Sequence, residues 1–339
     1  MKKFLCIVSS FVLVLALVGS TAAFGYSGGS YNLKIGTYFS GQQSGGIYAQ
    51  MFSDHVAKLS DGKIVIDVHQ DWQLGSQSEL AEAIALGTLD FCPQDWSMFD
   101  TVLGFTKGAI LGFPFLFENW DHVAAFYKSD DFAKIAQELL EQHNIRYLGS
   151  SGDGFRQCYT QVPVNKAEDF KGLRLRVPDI SIYIETFQAL GAATVIVPGA
   201  ELYTSLQSGI VNAMERPMDG MYSNNLFEQT KYLVMSNHIY VDFNLFVSET
   251  VFQKLDPEAQ AVIIKAGKEA SEAHFPLSRQ RDLDAYNGLL TVGKQELIEI
   301  DTTELNKISE IVKKAVWPKY LGMIDGGQAI VDNIAKLAR

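Results

Sequence analysis

Asp169-Phe170-Lys171-Gly172-Leu173-Arg174-Leu175-Arg176-Val177-Pro178, followed by Leu190-Gly191-Ala192, Pro198 and Glu201-Leu202-Tyr203-Thr204-Ser205-Leu206-Gln207-Ser208-Gly209, decides the reading of this chain. Leu173 to Val177 alternates apolar and basic residues, the period of a strand with one buried face. Pro178 ends that strand, which leaves Arg176 at its carboxyl end. Ile180 to Leu190 then reads as a helix and Thr194 to Val197 as a second strand. Glu201 to Gln207 reads as a helix stopped by Gly209, and Val211 to Met214 as a short strand. Strands alternating with helices imply a mostly parallel sheet covered on both faces. Ligands of such sheets bind in the crevice at the carboxyl ends of the strands, where Arg176 lies.

The same rhythm runs through the first part of the chain. Leu33 to Thr37, Ile64 to Val68 and Leu89 to Cys92 read as strands, with helices over Gly46 to Leu59 and Glu79 to Leu86 between them. Arg146 to Gly149 and Gln157 to Gln161 read as strands on either side of Gly152-Asp153-Gly154, a glycine cluster best explained as a crossing between lobes. It is not the Gly-x-Gly-x-x-Gly of a nucleotide site, nor a Gly-x-Ser-x-Gly nucleophile elbow. Tyr240 to Val247 returns the chain to the first lobe. Asp256 and Pro257 form a cap and first-turn pair for a helical stretch from Glu258 to about Asn287. One long helix bracing both lobes and two helices kinked at Pro276 are both compatible with that stretch.

Lys2 and Lys3, the apolar run Phe4 to Val18 and the small residues Thr21-Ala22-Ala23 make a secretory leader, with cleavage expected after Ala23. The run is short for a bilayer span, which needs roughly 20 residues. Cys6 lies too early in it to be lipid-modified after cleavage. The formal net charge of −11 becomes more negative once the leader's lysines are gone. That excludes nucleic acid and anionic membrane surfaces as partners. A few buried arginines still suffice to bind a small anion. Of 3 cysteines, Cys92 and Cys158 survive processing, and both sit in strand-like apolar segments that favour free buried thiols. The 6 histidines are scattered and the cysteines lack metal-ligand spacing, so no metal site is expected. No nucleophile, metal or acid–base pair is singled out, and no cofactor is expected.

Arg176 is the leading ligand-binding candidate, because a planar guanidinium holds a carboxylate through two parallel bonds as lysine cannot. Its alternative is a solvated strand-edge arginine. Arg156 follows the glycine cluster. Tyr38, Trp72 and Trp96 fall just after first-lobe strands, where cleft walls or core both fit. Asp95 is either an acceptor for a ligand group or the cap of the next helix.

From Gly154-Phe155-Arg156 through Pro163-Val164 and Asp169 to Pro178, and on to Gly209, the chain resembles the DctP-type solute-binding proteins of tripartite ATP-independent periplasmic (TRAP) transporters. Gln73-Leu74-Gly75, Gly87-Thr88-Leu89-Asp90-Phe91, Asn237-His238-Ile239 and Val247-Ser248 extend the resemblance over essentially the whole mature chain. It implies an α/β, two-lobed periplasmic-binding-protein fold with a cleft between lobes and a long helix spanning both. Lobe I is expected over 30–153 and 241–281, lobe II over 154–240 and 282–339, after a leader over 1–23. It further implies a carboxylate bond from Arg176, help from Arg156, and first-lobe contacts from Asp95 and Tyr38. Tyr203, within the shared Glu201 to Gly209 motif, joins the expected ligand-binding residues. The partners implied are a small organic anion and the TRAP membrane subunits, and the compartment is the periplasm. A binding protein of an ABC transporter or sensor shares the lobed plan, and an exported enzyme acting on organic acids is the remaining alternative. One departure stands out. Asn212-Ala213-Met214-Glu215-Arg216-Pro217 carries Arg216 where many relatives have asparagine. That suggests a third cation and a ligand richer in anionic oxygens, unless Arg216 pairs with Asp95 or points away.

Overall fold

One strand of 16 residues, Ile145–Thr160, is shared by both halves of the molecule. The computed structural model describes residues 26–338; the leader expected over residues 1–23 lies outside them. The first half of the fold comprises β1 (Tyr31–Gly36), α1 (Ser44–Leu59), β2 (Ile64–His69), α2 (Gln77–Leu86), β3 (Phe91–Gln94), α3 (Trp96–Leu103), α4 (Trp120–Phe126) and α5 (Asp130–His143), and leads into the shared strand, β4. The second half comprises β5 (Arg174–Val177), α6 (Ser181–Ala189), β6 (Ala193–Ile196), α7 (Leu202–Gln207), β7 (Ala213–Pro217), α8 (Met218–Ser223) and β8 (Tyr232–Met235). The chain then returns through β9 (Tyr240–Ser248), α9 (Glu249–Phe252), α10 (Pro257–Thr291), β10 (Glu296–Glu299), α11 (Thr302–Leu321) and α12 (Gly327–Leu337).

The strands follow the order β2-β1-β3-β9-β4-β7-β5-β6, with β8 against β4 and β10 against β8. Within each half the pairs are parallel: β1 with β2 and β3, β5 with β6 and β7, β8 with β10. The pairs made by the crossing strands are antiparallel: β9 with β3 and β4, and β4 with β7 and β8. The expectation of a mostly parallel sheet therefore holds only away from the crossing, since a chain that passes between lobes and returns beside itself must run antiparallel. The two strands expected around Gly152-Asp153-Gly154 are one, carried through the glycines by register shifts at Tyr147/Gly149 and Gly152/Gly154. Gly154 has φ +121, a conformation that L side chains rarely adopt, which is why the chain bulges there rather than turning.

The long helix is single. α10 has 35 residues with Pro276 inside it, about 52 Å at 1.5 Å per residue. Asp256 caps it, accepting from Glu258 N at 3.0 Å and Ala259 N at 2.9 Å, and Pro257 opens its first turn. Ala259, Val262, Ile263, Ala266 and Ala270 pack into one core with Ile35, Ile64 and Leu245. Ala285 and Leu289 pack into another with Tyr159, Met214 and Leu233. Between these ends its buried residues turn polar: His274, Ser278 and Asp282, one helical step apart, face the crossing. Ser278 donates to the Gly152 carbonyl and receives Ser44 Oγ at 3.2 Å, so α1, β4 and α10 meet there. Cys92 and Cys158 are free and buried. Among the described residues no helix is long and apolar enough to cross a membrane.

Candidate ligand-binding site

A cavity of about 100 Å³ lies between the halves. Arg176, Arg156, Arg216, Asp95, Asp153, Tyr38 and Trp72 are among the residues that line it.

Arg176 owes its position to β5. Leu175 and Val177 are wholly buried in the core, so the opposite face of the strand carries the arginines. Arg174, near the strand's start, is exposed and spends its guanidinium on the carbonyls of Ile210 and Gly209, at 3.2 Å and 3.0 Å. Arg176, at the far end, is only 7% exposed. Its Nε donates to the Val197 carbonyl at 2.9 Å, which fixes the plane of the guanidinium. Its terminal nitrogens have no hydrogen-bond or ion-pair partner among the described residues. Burial pushes its pKa down to about 9, and the nearby Arg156 and Arg216 push the same way against Glu215.

Arg156 is differently placed. It donates from Nε and Nη2 to the carboxylate of Glu215, and from Nη2 to the Glu215 carbonyl at 3.0 Å. The pairing follows from register, since Arg156 lies opposite Pro217 and Cys158 opposite Glu215 on neighbouring strands. Glu215 is wholly buried, which alone would raise its pKa. The Arg156 charge, with the His238 hydrogen bond, overcomes that and holds the carboxyl at about 2. Burial lowers the His238 pKa, so the neutral ring donates from Nε2 to Glu215 at 3.2 Å and accepts from Ser236 Oγ at 2.8 Å. The Arg156 guanidinium also stands 4.9 Å from the Tyr183 ring centre. Its charge is largely answered by the protein.

Asp95 is the cap of α3, accepting from Ser97 N at 2.8 Å, and it also accepts from Tyr183 Oη at 2.6 Å across the cleft. Burial raises its pKa against those bonds. It makes no ion pair with Arg216. Arg216 instead lies flat on Gly220, where a Cβ would come within 2.2 Å of a terminal nitrogen. On the first-half wall, Tyr38 accepts from Gln77 Nε2 at 3.2 Å, and its ring centre is 5.4 Å from that of Trp72. Trp72 has φ +63, an outlier for a bulky residue. Its indole fills the space over Gly199 of the other half, where a Cβ would be 2.4 Å away.

Two expected residues are not at the cavity. Trp96 is wholly buried among Phe99, Phe132, Tyr147 and Phe246, because the helix capped by Asp95 begins with it and turns its ring into the core. Tyr203 donates to Glu228 at 2.7 Å. One residue earlier on α7, Leu202 takes the inward position and lines the cavity, so helical phase carries Tyr203 outward. Sequence reasoning missed Asp153, Gln43, Gln77 and Asn224, which line the cavity, and Tyr183, which bridges Asp95 and Arg156. For Asp153 the signal was present, as a charged residue between two glycines inside an otherwise apolar crossing.

The profile of the DctP family, described as bacterial extracellular solute-binding protein, family 7, matches residues 35–321. The chain belongs to this family. It is 27% identical over 290 residues to the sialic acid-binding periplasmic protein SiaP of Vibrio cholerae, covering 85% of this chain and 87% of that one. A TRAP periplasmic solute binding protein from Haemophilus influenzae with bound L-gulonate superposes with a TM-score of 0.84 at 24% identity, over 90% of this chain and 99% of that one. One from Shewanella oneidensis with bound succinate gives 0.84 at 22% identity, over 91% and 100%. The family 7 fold thus has the expected two α/β lobes, and the cavity of this DctP-family chain lies between them.

Proposed function

We propose that this solute-binding protein captures a small organic acid by its carboxylate or sulfonate, held on Arg176, with Arg156 beside it and Tyr38 and Trp72 closing over it. The state of Arg176 carries this reading: buried, fixed through Nε, and lacking an anionic partner among the described residues. Burying an unanswered guanidinium is costly, and an arriving carboxylate removes that cost with two parallel N–H···O bonds. Sialic acid, L-gulonate and succinate, named for the relatives and structural neighbours, are all carboxylic acids.

The lobes, 30–153 with 241–281 and 154–240 with 282–339, move about β4, β9 and α10. Ligand contacts from both lobes favour the closed state, and only that differential affinity drives closure. The closed protein delivers its acid to TRAP membrane subunits driven by an ion gradient. The leader over residues 1–23 exports the chain to the periplasm and is removed. Capture is binding without turnover, so the acid is recovered unchanged.

Calorimetry of the exported chain against a panel of organic acids, with the chemical identity of any co-purified acid established by mass spectrometry, tests this. Arg176→Gln is expected to cost about 2–5 kcal/mol of affinity, the range for removing one partner of a buried charge pair. Near-native affinity in that variant overturns the assignment.

A further inference from the structure

We propose that the indole of Trp72 sets an upper size limit on the ligand, so that the cleft takes short-chain acids and rejects sugar acids. This rests on the reading of Arg176 above and deepens it by naming a specificity-determining residue and the size class it admits.

The turn that carries Trp72 is built against its own sequence preference. Gln73 N donates to the Gln70 carbonyl at 3.2 Å, and the two residues between them have φ +53 at Asp71 and +63 at Trp72. Positive φ at both central positions is the pattern of a type I′ turn, for which Asn-Gly or Asp-Gly is the favoured pair. Asp71 suits its place, but a tryptophan stands where glycine is expected. The turn is pinned on both sides. Asp71 N donates to the Phe39 carbonyl at 3.0 Å, and Gln70 Nε2 donates to the Gly46 carbonyl at 3.3 Å. Backbone strain of this kind persists only where the surroundings hold it, and it clusters at ligand clamps.

Packing in the core does not account for this tryptophan, because Trp72 is part of none of the three apolar cores formed by the described residues. Its ring instead reaches from one half to the other. The ring centre stands 5.4 Å from that of Tyr38 on its own side, and across the cleft the edge of the indole rests on Gly199, where a Cβ would be 2.4 Å away. Trp72, Tyr38 and Gly199 all line the cavity. Gly199 follows Val197 by two residues, and the Val197 carbonyl accepts from Arg176 Nε at 2.9 Å. The indole therefore shuts the cavity against the same segment that fixes Arg176. What it shuts in is small. Drug-sized ligands occupy pockets of about 300–1,000 Å³, and an apolar cavity of about 150 Å³ holds one benzene. On that scale the cavity, at about 100 Å³, has room for a carboxylate and a short chain. A hexuronate cannot lie on Arg176 unless the indole leaves Gly199. A wide, rigid ring held by a pinned turn makes that departure costly.

Calorimetry of the exported chain and of Trp72→Gly, each against propanoate, butyrate and galacturonate, tests the size limit. The wild type is expected to bind the short acids at least about 10-fold tighter than galacturonate. Trp72→Gly should bind galacturonate at least about 10-fold tighter than the wild type does, and the short acids less tightly. Glycine suits the left-handed position, so the thermal midpoint of this variant should match or exceed that of the wild type. Trp72→Phe keeps a smaller ring, should shift the affinities the same way by less, and decides the matter if the glycine variant does not fold. Galacturonate bound by the wild type as tightly as the short acids, or no gain of galacturonate affinity in the variants, overturns the size limit and leaves the reading of Arg176 standing. A lowered midpoint with an unchanged order of affinities makes Trp72 a packing residue and overturns it likewise. Failure of all three acids to bind either protein overturns both readings.

Discussion

Arg156, two residues after Gly154, and Arg176, two residues before Pro178, are both arginines of buried strands, yet they are partnered differently. Beyond its Nε bond to Val197, the Arg176 guanidinium has no partner among the described residues, whereas Arg156 is bound to Glu215 and holds the crossing strand to β7. Removing the acid and keeping the guanidinium exposes that difference. Glu215→Gln is expected to lower stability by roughly 3–5 kcal/mol in denaturant unfolding, since it leaves a buried charge unanswered. The sign of its pH dependence follows from the depressed pKa. Glu215 titrates at about 2 when folded, against 4.5 for an unperturbed glutamate. Its contribution is therefore present in full above pH 4.5 and is lost as pH falls toward 2. The variant should show a shallower acid-destabilisation curve over that window. At this scale the sequence revealed Arg176 because strand alternation and Pro178 fix both its face and its end of the strand. Trp96 was misplaced because one helix cap, Asp95, decides which way its ring turns.

The element that joins the two halves most extensively is α10. Its apolar ends belong to separate cores, and its polar middle meets α1 and β4 at the crossing. A helix this long is anchored by its start. Asp256 accepts from two helical N–H groups, from Gly29 N at 2.7 Å and from Tyr31 Oη at 3.0 Å, which also ties the N-terminal strand to the helix. Asp256→Ala is expected to cost about 1–2 kcal/mol, the upper part of the range for losing a cap, and thermal unfolding measures it. The start of α10 was legible from Asp256-Pro257. Its continuity through Pro276 was not, because a proline inside a helix either kinks or ends it, and only the packing of both flanks decides which.

For the whole molecule the decisive contacts are those that cross the cleft. Trp72 over Gly199, Tyr183 on Asp95 and Ser44 on Asp219 each join residues of different lobes. The left-handed backbone of Trp72 is held against its own preference, and the space over Gly199 is what receives the indole. Gly199→Val should fill that space and hold the cleft ajar. Small-angle scattering is expected to show the wild type contracting on ligand addition, while Gly199→Val contracts less and binds about tenfold more weakly. Equal contraction and affinity in the two proteins would remove Trp72 from the closing movement.

Local sequence determined most of the strands and helices, the buried face of β5 with Arg176 at its carboxyl end, and the cap of α10. It could do so because alternation, helical spacing and capping act within a few residues. Which of the buried charges find a partner within the protein was decided only by the tertiary structure. Arg156 and Glu215 are 59 residues apart, Tyr183 and Asp95 88, and Arg281 and Asp219 62. Commitment of a buried charge depends on which partner the fold brings within hydrogen-bond reach, and no local pattern carries that information.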